Sequence, residues 1–182
     1  MLCGDKFAVA HPQYKGGYMQ MYGWGIDSKD GKRRARAMWE NPQFHFFNCY
    51  FCLKLYDDPS LNVKEMLDEF YDGFYGPAGE AARRFIEAME DRWNDRQMRQ
   101  DSGFGQARYH LPWEFYWEHM GNAEFIETLK RLSADIRAAA PEGSIYARRV
   151  DLLDKAILGH AMFKRQKYLR SLEDTTGSQQ SP

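Results

Sequence analysis

Long apolar runs are missing from this chain. None approaches the ~20 residues that a membrane-spanning helix needs. A hydrophobic leader core is missing as well, since Gly4, Asp5 and Lys6 interrupt the first residues. That pattern fits a cytoplasmic chain or one read without its own N-terminus. Cysteine is scarce: 3 residues cannot build a full disulfide set. Net charge is scarce too. With 25 basic and 26 acidic residues the balance is -1, which removes any electrostatic case for nucleic acid or an anionic membrane surface. Aromatic residues, by contrast, are plentiful. The 12 Phe, 11 Tyr and 5 Trp suffice for a large core or for a surface that faces carbohydrate. At 182 residues the chain makes one domain or at most two. A domain of this size buries roughly 70% of its unfolded surface and needs no staples.

The pattern along the chain predicts a mainly α fold: a domain of about five helices over residues 41–172, preceded by a β and loop segment over 1–40 and followed by a disordered tail over 173–182. Tyr18 to Trp24 alternate in the manner of a strand, with Tyr18, Tyr22 and Trp24 on one face. Phe7 to Ala10 give a second short strand. The polar, basic segment from Asp27 to Arg36 reads as a solvated loop running into helix. From residue 41 the spacing is helical. Phe44, Phe46, Phe47, Tyr50, Phe51, Leu53 and Leu55 make the first helix apolar nearly all round, which predicts a central, buried position. Asp58-Pro59 ends it. Asn62 caps the next helix with Glu65 three residues on, and Val63, Met66, Leu67, Phe70 and Phe74 form its stripe. Gly76 stops that helix and Pro77 starts another, over 77–99. Residues 100–121 read as irregular, 122–140 as helix, and 143–172 as a long last helix with His160 on its apolar stripe. No internal repeat is visible.

Several clusters invite a chemical reading. Trp24 with Tyr18, Tyr22 and Asp27 offers aromatic faces for a sugar ring and a carboxylate for hydroxyls; a core strand ending in a loop explains the same residues. The segment His110, Trp113, Glu114, Tyr116, Trp117, Glu118, His119 suits a sugar platform or an interface anchor, or an irregular segment pinned by its own rings. Trp113 and Trp117 are its strongest candidates. His45, Cys49 and Cys52 share a helix face, yet a closed zinc site needs a fourth ligand, so small apolar packing is the expected role and no metal or other cofactor is expected. The acids Asp57, Asp58, Glu65, Asp68, Glu69 and Asp72 read as a solvated face. The basic run Lys29, Lys32, Arg33, Arg34, Arg36 lacks a wider positive surface. For His160 the default is a satisfied core histidine. No catalytic residue emerges.

The run Tyr50-Phe51-Cys52-Leu53-Lys54-Leu55, then Asp58-Pro59, then Leu67-Asp68-Glu69-Phe70 and Phe74-Tyr75-Gly76-Pro77-Ala78 resembles an uncharacterised bacterial domain-of-unknown-function family. Tyr146-Ala147-Arg148-Arg149-Val150-Asp151-Leu152-Leu153 suits the last helix of that family, and the resemblance spans roughly residues 40–160. Its members are large glycoside-hydrolase-like proteins similar to α-glucuronidases and β-hexosaminidases, with a TIM-type barrel followed by a helical C-terminal region. The resemblance implies that residues 1–40 are the last barrel strand and its exit loop. Catalytic carboxylates would then sit on upstream strands, leaving this chain inactive alone. It further implies a parent that is exported, carbohydrate as partner through that parent, and docking on the upstream barrel or self-association. The expected function is an accessory helical domain that supports the barrel and lines its sugar site. The alternative is a stand-alone helical module that binds a partner protein.

Overall fold

A computed structural model describes the backbone of residues 22–26, 33–37, 42–103 and 112–178, and the side chains at 47, 49–103 and 112–174. The described chain is mainly helical. It divides into two compact units, residues 1–69 and 70–182, and the division falls inside a helix between Glu69 and Phe70.

In the first unit two five-residue strands, β1 (Tyr22–Ile26) and β2 (Arg33–Ala37), pair antiparallel with Trp24 opposite Ala35. β1 overlaps the expected strand only from Tyr22 to Trp24. β2 lies where a loop running into helix was expected. A run rich in arginine can still pair as a strand, because a two-stranded ribbon has no need of two apolar faces. Barrel strands are parallel and joined by helices, whereas these two are consecutive and antiparallel. The strand expected at Phe7–Ala10 lies outside the described residues.

Helix α1 (Pro42–Asp57) follows. Phe51 and Leu55 are buried and their neighbours half-buried, but Leu53 is 54% exposed, so the helix is not enclosed on all sides. The Asp58 carboxylate takes hydrogen bonds from the backbone N–H of Ser60, at 2.9 Å, and from its hydroxyl at 2.6 Å. That Asx turn ends α1 ahead of Pro59. Asn62 caps α2 (Val63–Tyr75), its Oδ1 accepting from the backbone N–H of Lys64 at 2.9 Å. The capping box is a variant: the Asn62 amide donates to the Glu65 carboxylate at 3.3 Å. Met66, Phe70, Tyr71 and Tyr75 form the buried stripe of α2, with Leu67 and Phe74 at its margins. Of the acids expected on the solvated face, Glu65, Glu69 and Asp72 are exposed and Asp68 is intermediate. Glu69 meets Lys54 at 2.8 Å.

In the second unit α2 ends at Gly76, whose φ of +55° is the left-handed conformation that glycine adopts without penalty. A single 3-10 turn (Gly76–Ala78) carries Pro77 and leads into α3 (Gly79–Asn94). Ala78, Ala81, Ala82 and Phe85 are buried where α3 packs on α5 (Ala123–Ala139), which contributes Ile126, Leu129 and Ile136. The expected single helix over 77–99 is two. Asp95 leaves helical geometry and accepts from the backbone N–H of Met98, capping a new short helix, α4 (Arg96–Asp101). The stretch expected to be irregular contains further helix. Trp113 and Glu114 run into one turn of π-helix, Phe115–Met120. Residues 104–111, among them His110, lie outside the described residues.

Asn122 caps α5, and Ser144 caps α6 (Ile145–Leu153). A π turn (Asp154–Gly159) joins α6 to α7 (His160–Ser178) without leaving helical geometry. α7 passes the expected end at Leu172, as no proline falls between Pro141 and Pro182 to stop it. Val150 and Leu153 are buried against α5. Beside them the buried Ser133 donates to Asp154, while Arg137 reaches Asp151 at 2.7 Å and Asp154 as well. Two stretches far apart in sequence meet in this unit. The ring of Tyr146 packs against Gly76, and the Arg149 guanidinium donates to the carbonyls of Phe74 at 2.7 Å and Gly73 at 3.2 Å. A cation on the last carbonyls of a helix satisfies groups that the helix cannot pair itself.

Candidate functional site

The strongest site candidate is built on the π turn at Phe115–Met120. Phe115 is fully buried and packs with Met98, with Trp93, Tyr116 and Met120 around the pair. Arg99 stacks over Trp93 at 4.5 Å from the ring centroid and lies 5.6 Å from that of Phe115. Arg92 donates to the carbonyls of Met120, at 3.2 Å, and His119. Gly121 closes the turn, its N–H reaching back to the Tyr116 carbonyl at 2.7 Å. A Cβ there would stand 3.0 Å from that oxygen and 3.2 Å from the Trp117 ring. The segment is thus nailed down through its inward side, and its outward side is held in place.

That outward side presents Trp113 and Trp117. Their ring centroids are 6.4 Å apart with planes tilted by 34°. Trp113 is 53% exposed and Trp117 half-buried. The first turns of α7 face them, with His160, Lys164 and Tyr168 at successive i, i+4 positions. Tyr168 is buried and donates to Glu118, an anchor that sequence spacing does not announce. This bond, with burial, pushes the Tyr168 phenol up to about 12. Nearer the mouth, Lys164 Nζ lies 6.0 Å from the Trp113 ring centroid. Trp113, Tyr116, Trp117, His160 and Lys164 line an open cleft of about 370 Å³.

The cleft's polar groups are poorly matched. Lys164 has no carboxylate partner among the described residues. The Trp117 indole N–H is covered and has no acceptor there either. Such a group costs roughly 1–3 kcal/mol when left unpaired. His160 is exposed, not a core histidine: it flanks the stripe of Val150, Leu153 and Tyr168. Partial desolvation, and then the charge of Lys164, hold its pKa below the ordinary 6.5.

The structure therefore brings Trp113 and Trp117 together and joins to them His160 and Lys164, which the sequence reading had left out of the site. The available signal was the i, i+4 spacing of His160 and Lys164. Tyr22 and Trp24 fall in β1, and their side chains, like Tyr18 and Asp27 altogether, lie outside the described residues. So does the His45 side chain. Cys49 and Cys52 are half-buried thiols, and burial followed by the neighbouring Cys52 pushes the Cys49 thiol up. Comparison with known families, curated proteins and solved structures returned no match.

Proposed function

We propose that this chain is the accessory helical domain of a glycoside-hydrolase-like, carbohydrate-active protein, and that the Trp113–Trp117 cleft contributes to its sugar contacts. The observation that carries the reading is the pair of neighbouring indoles held on an anchored turn with one ring half in solvent. A sugar ring has an apolar C–H face that stacks on indole, and its hydroxyls need polar groups beside that face. A π turn inside helical structure is also a recurrent mark of functional sites. The resemblance carried by residues 50–78 and 146–153 supports the same class of parent protein, and the reaction is then assigned to carboxylates outside this chain. Titration calorimetry of the chain against a panel of neutral and acidic oligosaccharides tests the proposal. Binding that Trp113→Ala abolishes is expected; silence across the whole panel sinks it.

A second reading has its own observation. Met162, Phe163, Leu169 and Leu172 leave 42%, 62%, 37% and 41% of their surface exposed on α7. Apolar side chains gathered on one helix suit a protein partner or self-association. Sedimentation of the chain before and after Phe163→Ser and Leu169→Ser separates this reading from the first, because neither substitution touches the cleft.

A further inference from the structure

We propose that the Trp113–Trp117 cleft selects an anionic saccharide, one whose ring stacks on the Trp113 indole while a ring carboxylate or sulfate meets Lys164. The inference deepens the sugar-contact reading and rests on it.

The argument is charge complementarity at one place. Lys164 Nζ stands beside the exposed Trp113 ring at 6.0 Å from its centroid, near the outer limit of a useful cation–π contact. The ring therefore satisfies little of the ammonium's demand, and no described carboxylate satisfies the rest. Two acids flank the indoles on this segment: the Glu118 carboxylate already accepts the Tyr168 hydroxyl, and neither it nor Glu114 forms an ion pair with Lys164 among the described residues. His160, one turn before Lys164, adds a second nitrogen donor to the same wall. An uncharged sugar would use the indole and offer the ammonium only hydroxyls, which leave its charge unmatched. A sugar with an anionic substituent uses both. The turn that follows Trp113 is fixed by Phe115, Arg92 and Gly121, so the backbone beside the ring is set before a ligand arrives, which limits the ordering cost of binding to side chains.

The experiment uses the full chain and three matched probes: the methyl galactosides carrying a C6 hydroxyl, a C6 carboxylate or a C6 sulfate, each titrated by ligand-observed NMR at low salt. The carboxylate and sulfate forms should bind about fivefold tighter than the neutral form, the size of one partly exposed ion pair. The preference should shrink with added salt. Which anion is preferred then identifies the source of the charge. Lys164→Met should bring the three probes to parity, and Lys164→Arg should keep the preference. Trp113→Ala should weaken all three alike. Equal binding of the three probes by the unsubstituted chain overturns the selectivity while leaving the sugar reading in place. A preference that survives Lys164→Met overturns it too. No binding of any probe, with the fold intact by circular dichroism, removes the sugar reading along with it.

Discussion

Two places in the second unit put aromatic rings beside cations, and they differ in what is left over. At the joint formed by Gly76, Tyr146 and Arg149, the guanidinium lies 4.4 Å from the Phe74 ring centroid and its N–H groups end on two helix carbonyls. Tyr75 is buried beside it, and burial pushes its phenol far up. In the Trp113–Trp117 cleft the ammonium is 6.0 Å from its ring and has no carboxylate among the described residues, while an indole N–H goes without an acceptor. The same residue chemistry thus closes one region and leaves the other open. Composition does not separate them. The accounting of donors and acceptors does: the joint pairs its polar groups, and the cleft leaves an ammonium and an indole N–H over, as the proposed binding role requires.

If the joint is structural, breaking it should cost folding energy and little else. Gly76→Ala should have the largest effect. An L-residue at φ +55° costs roughly 1–2 kcal/mol, and the added Cβ would sit 2.5 Å from the Tyr146 ring. Pushing that ring aside adds roughly 1–3 kcal/mol. Urea denaturation should show a loss of about 3 kcal/mol; a loss under about 1 kcal/mol would mean that the turn and Tyr146 yield freely.

Arg149→Met should come next, at about 1–2 kcal/mol, from two lost hydrogen bonds to helix-terminal carbonyls and a lost cation. Arg149→Lys should recover only part of it, because both bonds come from one guanidinium nitrogen and the planar group also stacks over Phe74, a contact that an ammonium does not reproduce. Full recovery would reduce the role of Arg149 to charge alone.

Gly73 sharpens the contrast with Gly76 three residues away. It is exposed within α2, has no positive φ, and a Cβ there would meet nothing within 4 Å. Gly73→Ala should stabilise by about 0.5–1 kcal/mol, since alanine gives up less backbone entropy in a helix. Thermal denaturation of the two alanine variants should therefore shift in opposite directions.

Of the joint, the Gly76 terminator was legible in the sequence; its partners Tyr146 and Arg149, far along the chain, and the cleft were not, for a physical reason. Asn62 as a cap, Asp58-Pro59 as a stop and Gly76 as a terminator act within four residues of themselves, so residue type and spacing carry the information. Asp95 belongs to the same class: its cap on Met98 was readable but was overridden by the apolar periodicity on both sides. The cleft depends on α7 lying across the Phe115–Met120 turn, and no local rule places them together. Trp113 and Trp117 could be singled out as a pair at i, i+4. Lys164 could not, and His160 was misjudged because a helix stripe read at constant pitch ignores the π turn just before it. Tyr168 and Ser133 were missed as buried residues for a related reason, since each is polar enough to be discounted and meets its partner, Glu118 or Asp154, far away in sequence.

If the cleft is a binding surface, emptying it should leave stability nearly unchanged. Trp113→Ala and Lys164→Met should each stay within about 0.5 kcal/mol of the parent, the usual range for surface substitutions. The ring of Trp113 is 53% exposed and Lys164 has no ion pair among the described residues to lose. A loss from Trp113→Ala of the size expected at Gly76 would make this ring part of the core and erase the distinction between the two regions.

The smallest effect concerns pH, and it tests why His160 is perturbed. Its folded pKa lies below the ordinary 6.5, with desolvation the larger cause and the charge of Lys164 the smaller. Between the two values the unfolded chain holds a proton that the folded chain does not. Stability from this group is therefore complete above pH 6.5 and declines as pH falls toward the folded value. The parent should lose slightly more stability than His160→Gln between pH 7.5 and pH 5. NMR titration of the His160 ring in Lys164→Met should show a pKa that rises only part of the way back, because the partial desolvation persists. Complete return to the ordinary value would make Lys164 the main cause, with its charge less screened by water than its open position suggests. An anion bound in the cleft should also raise the His160 pKa, since it offsets the ammonium and favours the protonated ring. No such shift with the C6-carboxylate galactoside at saturation would place the bound charge away from this wall.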